Sequence, residues 1–244
     1  MVYYLTYTLL GIILVPGIIL ATWAQYKVTH TYNKTRTNMP TSTDKTADII
    51  AREILDKNDL HDIELTHIEG ELTDHYNPSK GIISLSNASW GQHSIAAISI
   101  AAHEVGHAIQ RKEGHFATKL REFLVPFLRF SDIFLWPLIV IGLIFNIGGS
   151  FDSPIGNIFM WSGVAFFGLS ALFSLVTLPT ELDASKRALQ QLEKGGYLRT
   201  EEELSDAKSM LKAAALTYVA SLLVAILNFA RFLLSVLILR GDDR

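Results

Sequence analysis

The chain has 244 residues, of which 49% are hydrophobic and 18% charged, and its mean hydropathy is +0.27. This composition is too apolar for an ordinary soluble domain and indicates a membrane protein. There is no cysteine, which excludes disulfides and thiolate metal ligands. The net charge of -3 and the lack of a basic stripe interleaved with aromatic residues argue against a nucleic-acid partner.

An uncharged apolar run covers residues 2–24 at the start of the chain. A helix of this length can cross the roughly 30 Å hydrocarbon core of a bilayer, so residues 1–24 are predicted to form the first transmembrane helix. A cleaved signal peptide is the alternative interpretation, but such peptides carry a basic residue before a shorter apolar core. No Lys or Arg precedes this run.

Residues 25–132 are predicted to form a catalytic domain that begins, after a polar linker, with a helix. Apolar residues at helical spacing predict that this helix stops near Asn58, and either Thr43 or Asp44 is expected to cap its start. Between residues 63 and 85 the apolar period shortens and turn signals separate short β-branched runs. This pattern predicts a small β-sheet.

The last strand of that sheet is predicted at residues 81–86, just before the next helix. Alternation places Ile83 and Leu85 on one face of the strand. A strand at this position could pair with an extended substrate through backbone hydrogen bonds. An ordinary strand of the sheet is the equally supported alternative.

The segment 94–110 contains His103, Glu104 and His107 in the pattern His-Glu-x-x-His. Residues four apart on a helix lie nearly above one another, so both imidazoles can face one metal ion with Glu104 beside them. Two neutral imidazoles suit Zn²⁺, and a catalytic zinc needs a third protein ligand and a carboxylate that takes a proton from water. Because the surrounding helix is apolar on almost every face, a hydrogen-bonded structural cluster is the alternative.

Gly114 is predicted to end this helix, which directs His115 away from the histidine pair. Residues 119–132 mix charged residues with Leu and Phe at amphipathic spacing. This segment is expected to lie along the bilayer surface. A domain helix that continues into the next span is the alternative.

Further uncharged runs predict a transmembrane hairpin over residues 133–178 with a short loop at 150–154. A fourth span is predicted at residues 216–239, inside a C-terminal segment that covers residues 213–244. Arg231 lies within this span and is assigned no chemistry, because a snorkelling guanidinium or a partner in the helix bundle accounts for it.

Basic residues are concentrated in the 25–132 and 179–212 segments, whereas the 150–154 loop has none. Because cytoplasmic segments carry an excess of Lys and Arg, both basic segments are predicted to lie on the cytoplasmic side. The expected location is therefore the cell membrane, with several spans and with the catalytic domain on the cytoplasmic face.

The third metal ligand should come from the same side of the membrane, and the helical segment 179–212 provides candidates. Pro179 suits the first turn of a new helix, which Gly195 and Gly196 would end. Glu181 shares a face with small residues, whereas Asp183 points about 160° away from it. Glu181 is the favoured ligand, and Asp183 is the alternative, better suited to orient a ligand or pair locally.

These features together resemble the YugP-type neutral zinc metallopeptidases of bacteria. The resemblance is carried by His103 to Gln110, Tyr76 to Lys80, Ser94 to Ala97, Leu178 to Ser185, and the four predicted spans. More distantly, the chain is similar to membrane peptidases of the HtpX and Ste24 type, which use a downstream glutamate as third zinc ligand. Their usual Asp four residues after that glutamate is Ser185 here.

The resemblance implies a membrane-bound zinc peptidase. The predicted fold class is accordingly a mainly α membrane protein with four transmembrane helices and a small α+β zincin-like (gluzincin) catalytic domain on one side. The predicted cofactor is Zn²⁺, held by His103, His107 and Glu181. Tyr76, His75 and Arg187 are candidates by residue type for stabilising the oxyanion of the reaction, and spacing selects none of them.

The predicted function is hydrolysis of peptide bonds in membrane-associated or misfolded polypeptides through a zinc-activated water. Glu104 would take the proton of that water and deliver it to the leaving amine. Predicted partners are the polypeptide substrate, the lipid bilayer, and an oligomeric or accessory membrane partner. The alternatives are a non-proteolytic zinc-binding scaffold or regulator, and a metal transporter, which is disfavoured because the predicted ligands lie outside the spans.

Overall fold

The structure is a computed structural model that describes residues 10–37, 41–147 and 153–241. Within these ranges the chain is mainly helical, as predicted, and has a small mixed sheet. The helices are α1 (Val15–Thr37), α2 (Ala47–Lys57), α3 (Ile95–Lys112), α4 (Phe116–Ile147), α5 (Pro154–Lys194) and α6 (Glu201–Gly241). The strands are β1 (Glu64–Ile68), β2 (His75–Asn77) and β3 (Ile82–Ser86).

The last predicted strand is present as β3, and it is the central strand of the sheet. β1 pairs with it in parallel on one side, and β2 pairs with it in antiparallel fashion on the other. The suggestion that this strand pairs with an extended substrate is therefore wrong, because both of its edges are occupied by other strands. Ile83 and Leu85 are fully buried, as the alternation predicts.

The predicted turn between Asn77 and Gly81 joins β2 to β3. The side-chain oxygen of Asn77 accepts hydrogen bonds from the backbone N–H groups of Ser79 and Lys80. Gly81 then adopts a left-handed conformation with φ of +68°. These contacts hold β2 against β3 and thereby fix the position of Tyr76, the middle residue of β2.

The helix α2 begins after Thr46, so the expected caps Thr43 and Asp44 are wrong. Thr46 makes no capping hydrogen bond through its side chain. Instead, the backbone N–H of Ala47 donates to the carbonyl of Gln92 at 2.8 Å. A tertiary contact thus satisfies a helix N–H group that a side-chain cap would otherwise serve. The predicted end of this helix at Asn58 is confirmed.

The helix α3 ends as predicted at Gly114, which has φ of +69°. The N–H of His115 donates to the carbonyl of Gln110, and the N–H of Gly114 donates to that of Arg111, which is a Schellman ending. The ring of His115 contacts the hydroxyl of Thr118 at 3.1 Å. As expected, His115 is not a member of the histidine pair.

The described chain divides into two compact units. The first, called the mixed unit, covers residues 24–119 and 178–217 and contains the sheet, α2 and α3. Its hydrophobic core combines fully buried side chains from α2, β3, α3 and the later part of the chain, among them Ile54, Ile83, Ile98 and Leu192. The core therefore joins the histidine helix to the segment in which the third ligand is predicted.

The second unit, called the helical unit, covers residues 10–23, 120–147, 153–177 and 218–241 of the described chain. Large apolar side chains are exposed along its helices, including Ile18, Phe127, Trp136, Ile158 and Ile226. A small buried cluster forms where Met160 and Val164 of α5 meet Val236 of α6. Extensive exposed apolar surface of this kind is expected where lipid, not water, surrounds the helices.

Three described helices are long and apolar enough to cross a membrane: Leu10–Arg36, Pro154–Lys194 and Glu201–Ile238. A fourth candidate is the pair Phe116–Ser131 and Ile133–Phe145, which is bent by 45°. The prediction of membrane helices is thus confirmed, with three or four candidate spans in place of a fixed four. Residues 2–9 of the first predicted span and 150–152 of the predicted hairpin loop lie outside the described residues.

The charge-free parts of the two longest helices are residues 154–180 in α5 and 213–230 in α6. These are the candidate membrane-spanning parts of the two helices. The prediction that Pro179 opens a new helix is wrong, because α5 continues through it to Lys194. Proline removes one backbone donor, and long apolar helices tolerate this loss. The predicted end is confirmed by Gly196, whose φ is +66°.

Candidate metal centre

The helix α3 presents the two motif histidines on one face. Its first turn is capped by Ser94, whose hydroxyl accepts the N–H of Ala97 at 3.2 Å. The rings of His103 and His107 lie edge to face, with centroids 4.7 Å apart. Their side chains are 14% and 11% exposed, whereas most of the helix is buried. The pair is therefore held rigidly but remains accessible from outside.

Glu181 reaches the histidine pair from α5 and is only 2% exposed. It lies on the predicted face of small residues, where Ala184 and Ala188 are fully buried against the core. The two helices approach closely at Gly106, because a Cβ atom there would lie 2.6 Å from the carbonyl oxygen of Ala184. The absence of a side chain on Gly106 thus allows the glutamate to come within reach of both imidazoles.

The distances within this cluster fit a tetrahedral zinc ion. The Oε2 atom of Glu181 lies 3.2 Å from Nε2 of His103 and 3.5 Å from Nε2 of His107. One ligand atom from each of the three residues lies within 4.8 Å of the others. Ligands at roughly 2.0–2.1 Å from a tetrahedral zinc are about 3.3 Å apart. The three residues predicted as ligands therefore have the chemistry that zinc requires, and the two distances from Glu181 have the tetrahedral spacing.

Each histidine has a neutral partner at its other ring nitrogen. Nδ1 of His103 lies 3.2 Å from the hydroxyl of Ser185, and Nδ1 of His107 lies 3.0 Å from Oε1 of Gln110. Ser185 thus stands beside a predicted ligand at the position where the distantly similar peptidases have Asp. Sequence reasoning missed Gln110, although its spacing of three residues from His107 places both on one helix face.

Glu104 is anchored by the edge of the sheet. Its Oε2 atom accepts a hydrogen bond of 2.8 Å from the backbone N–H of Tyr76 in β2. The residue is 8% exposed and lies on α3 next to the histidine pair. A buried carboxylate held by one backbone donor keeps its orientation while its remaining lone pairs can still accept a proton.

The three residues predicted as oxyanion candidates, Arg187, His75 and Tyr76, each make different contacts. Arg187 binds two carboxylates at 2.6 Å each, through Nε to Asp183 and through a terminal nitrogen to Glu113. Nδ1 of His75 contacts the carbonyl of Thr73 on the surface. The ring of Tyr76 packs against the core, and its backbone holds Glu104.

Asp183 is not a member of the three-residue cluster, but it is connected to it. Its Oδ2 atom accepts 2.9 Å and 2.6 Å hydrogen bonds from Gln110 and Arg187. Gln110 therefore links the Asp183 carboxylate to His107, because it contacts both residues.

The electrostatics of the cluster favour a cation. Burial by itself lowers the pKa of His107, but hydrogen bonding to Glu181 and the negative charges of Glu104 and Glu181 outweigh it and leave this pKa raised. A raised histidine pKa means that the surroundings stabilise positive charge on the ring. The same surroundings stabilise a metal cation placed among these side chains.

Comparison with known proteins agrees with this geometry. A family model described as "Putative neutral zinc metallopeptidase" matches residues 10–237. A protein of Bacillus subtilis (strain 168) called "Putative membrane protease YugP" is 38% identical over 224 residues, which cover 92% of this chain and 94% of that protein. No solved structure matches the chain significantly.

Proposed function

The chain belongs to the neutral zinc metallopeptidase family, and from this premise we propose that it is a membrane-bound zinc endopeptidase. Its zinc would be held by His103, His107 and Glu181, and Glu104 would be the general base. The mixed unit would then be a zincin-like domain of the gluzincin type. The observation that carries the proposal is the near-tetrahedral spacing of 3.2 Å and 3.5 Å between Glu181 and the two imidazoles.

A zinc ion bound by these residues supplies a Lewis acid that activates water and polarises a carbonyl group. The protein's own contribution is the arrangement around it. Two helices fix the three ligands, and the lack of a side chain at Gly106 allows these helices to lie close together. With three protein ligands, such a site keeps a coordination position for water or substrate, which distinguishes catalytic from structural zinc.

Glu104 is placed to accept and return a proton. It follows His103 on α3, and the Tyr76 N–H binds one of its carboxylate oxygens. The proposed role is to take a proton from the attacking water and to deliver it to the leaving amine. Among the oxyanion candidates, Tyr76 is the one whose backbone contacts the proposed general base.

The proposed substrates are membrane-associated or misfolded polypeptides. Glu181 directly follows the charge-free run of residues 153–180 in the sequence. A ligand at the end of a membrane span places the proposed site close to the bilayer surface. The basic residues of the 25–132 and 179–212 segments support a multi-pass protein of the cell membrane with this site on the cytoplasmic face.

A non-proteolytic zinc scaffold is the competing function, and the variant Glu104→Gln separates the two. The variant removes the proton acceptor but keeps the shape of the side chain, so zinc should stay bound while proteolysis stops. We would compare the membrane proteomes of cells with the wild type, Glu104→Gln and, as a matched control, Glu193→Gln on the surface of α5. Polypeptides that accumulate only in Glu104→Gln cells would identify substrates. Identical proteomes, together with no cleavage of peptides by the purified wild type, would contradict the peptidase proposal. Undiminished cleavage by purified Glu104→Gln protein would contradict the assignment of Glu104 as general base.

A further inference from the structure

We propose that Gln110 is a positioning residue that fixes His107 in the tautomer with its proton on Nδ1. This inference rests on the proposed zinc site and deepens it. It concerns the chain of contacts from Arg187 through Asp183 and Gln110 to His107, called the tautomer relay. All four residues belong to the mixed unit.

The orientation of the Gln110 amide follows from its partners. Its nitrogen Nε2 lies 2.7 Å from the carbonyl oxygen of Thr180 and 2.9 Å from Oδ2 of Asp183. Both partners can only accept hydrogen bonds when Asp183 is ionised, so this end of the amide must be the NH₂ group. Both of its hydrogens are thereby used, and Gln110 is completely buried.

Asp183 is kept as an acceptor by Arg187. The Nε atom of Arg187 lies 2.6 Å from the same Oδ2 atom that accepts from Gln110. A guanidinium at this distance favours the carboxylate form of its partner. The ion pair therefore prevents the Gln110 amide from turning over, because a flipped amide would bring its oxygen against a carboxylate.

The tautomer of His107 follows from the amide orientation. With NH₂ facing α5, the oxygen Oε1 of Gln110 faces Nδ1 of His107 at 3.0 Å. An amide oxygen can only accept, so Nδ1 must carry the hydrogen. In the neutral ring, Nε2 is then the unprotonated nitrogen that can bind metal, and it is the one 3.5 Å from Glu181.

The partner of His103 imposes no such constraint. A hydroxyl such as that of Ser185 can either donate or accept. The two histidines are thus held differently, and Gln110 is the neighbour that defines a single tautomer. The same side chain also connects α3 to α5 through Thr180, so it links the position of Glu181 to the orientation of His107.

The first test measures zinc affinity of the full chain in detergent by competition with a chromophoric chelator. Gln110→Met keeps the side-chain length but removes the acceptor, and its zinc affinity should fall ten- to a hundred-fold, the usual effect of losing a partner of a metal-bound histidine. The matched control Gln191→Met, on the partly exposed face of α5, should stay within about two-fold of the wild type by the same principle. Equal affinity in Gln110→Met and wild type would overturn the relay.

The wild type alone provides a test that needs no folded variant. The ¹⁵N chemical shifts of His107 in metal-free protein, recorded at alkaline pH where imidazole is neutral, should show protonated Nδ1 and unprotonated Nε2. The opposite tautomer would refute the relay. If wild-type protein bound no zinc while His107 showed the expected tautomer, the zinc proposal would fail and the relay would survive as a structural contact.

Discussion

A methyl group on Gly106 would lie 2.6 Å from the carbonyl oxygen of Ala184 and within 3.3 Å of its Cα atom. Both atoms belong to the backbone, so no side-chain rotation can relieve the contact. Glu181 lies one helical turn before Ala184 in α5. The separation of the two helices at this point therefore decides whether the carboxylate and the two imidazoles can share one ion.

The variant Gly106→Ala should accordingly damage the site. Helix propensity favours Ala over Gly by about 1 kcal/mol. Overpacking against a fixed backbone costs about 1–3 kcal/mol, so the net effect on the stability of the protein should be destabilising or neutral. The added methyl group should also push α5 away from α3. Zinc affinity should fall by ten-fold or more, as measured by chelator competition. In the control Gly168→Ala, the atoms nearest to the new methyl group belong to the ring of Phe229, and this variant should bind zinc like the wild type.

Removal of the Ser185 hydroxyl should weaken zinc binding without unfolding the protein. The hydroxyl contacts Nδ1 of His103 at 3.2 Å, and partners of metal-bound histidines typically contribute ten- to a hundred-fold in affinity. We expect Ser185→Ala to lose about ten-fold. Ser99→Ala is the matched control, because the buried Ser99 hydroxyl in α3 has no hydrogen-bond partner among the described residues. Equal zinc affinity in all three proteins would show that Ser185 does not support the site.

Glu203 stabilises the start of α6 and the segment around Ser42. Its carboxylate accepts hydrogen bonds from the hydroxyl of Ser42 at 2.7 Å and from the backbone N–H groups of Arg199 and Thr200. Its own N–H donates to the hydroxyl of Thr200, which completes a capping box. Burial opposes ionisation, but these donors outweigh it and lower the pKa of Glu203 from 4.5 to about 2.

The lowered pKa predicts how stability depends on pH. A carboxyl whose folded pKa lies below its unfolded value stabilises the protein above the unfolded pKa, and this stability is lost as pH falls through the folded pKa. The contribution of Glu203 should therefore be complete above pH 4.5 and disappear between 4.5 and about 2. A shift of this size corresponds to at most about 3 kcal/mol, which solvent screening reduces.

Thermal unfolding from pH 7 to pH 3 would test this contribution. Glu203→Gln should be less stable than the wild type at pH 7, and the difference should shrink on acidification. The control Glu202→Gln changes an exposed carboxyl in the same turn and should resemble the wild type. A constant difference between Glu203→Gln and wild type at every pH would contradict the assigned pKa.

The sequence predicted those parts of the fold that have strong periodicity or characteristic turn residues. The buried stripe of α2, the strand β3 and the ends of α3 and α5 at Gly114 and Gly196 all follow from such local patterns. Glu181 could be singled out because small residues accompany it on one helix face. Local rules failed where a tertiary contact replaced them, as at Ala47, whose N–H is bound by Gln92.

Other features depended on contacts that no local pattern encodes. Pro179 looked like a helix start because it follows a predicted span, yet the helix continues through it. The central position of β3 depends on the long-range pairing with β1 and β2. The link from Tyr76 to Glu104 is a backbone hydrogen bond, and residue types alone could not predict it.

The central claim is that two helices supply His103, His107 and Glu181 to one zinc ion. Zinc-edge X-ray absorption of the full chain, combined with metal analysis, tests it most directly. The wild type should contain about one zinc per chain, with scattering from two imidazoles and oxygen ligands at roughly 2.0–2.1 Å, whereas Glu181→Ala should lose most of its zinc. Full zinc occupancy in Glu181→Ala, or a wild-type spectrum without imidazole scattering, would contradict the claim.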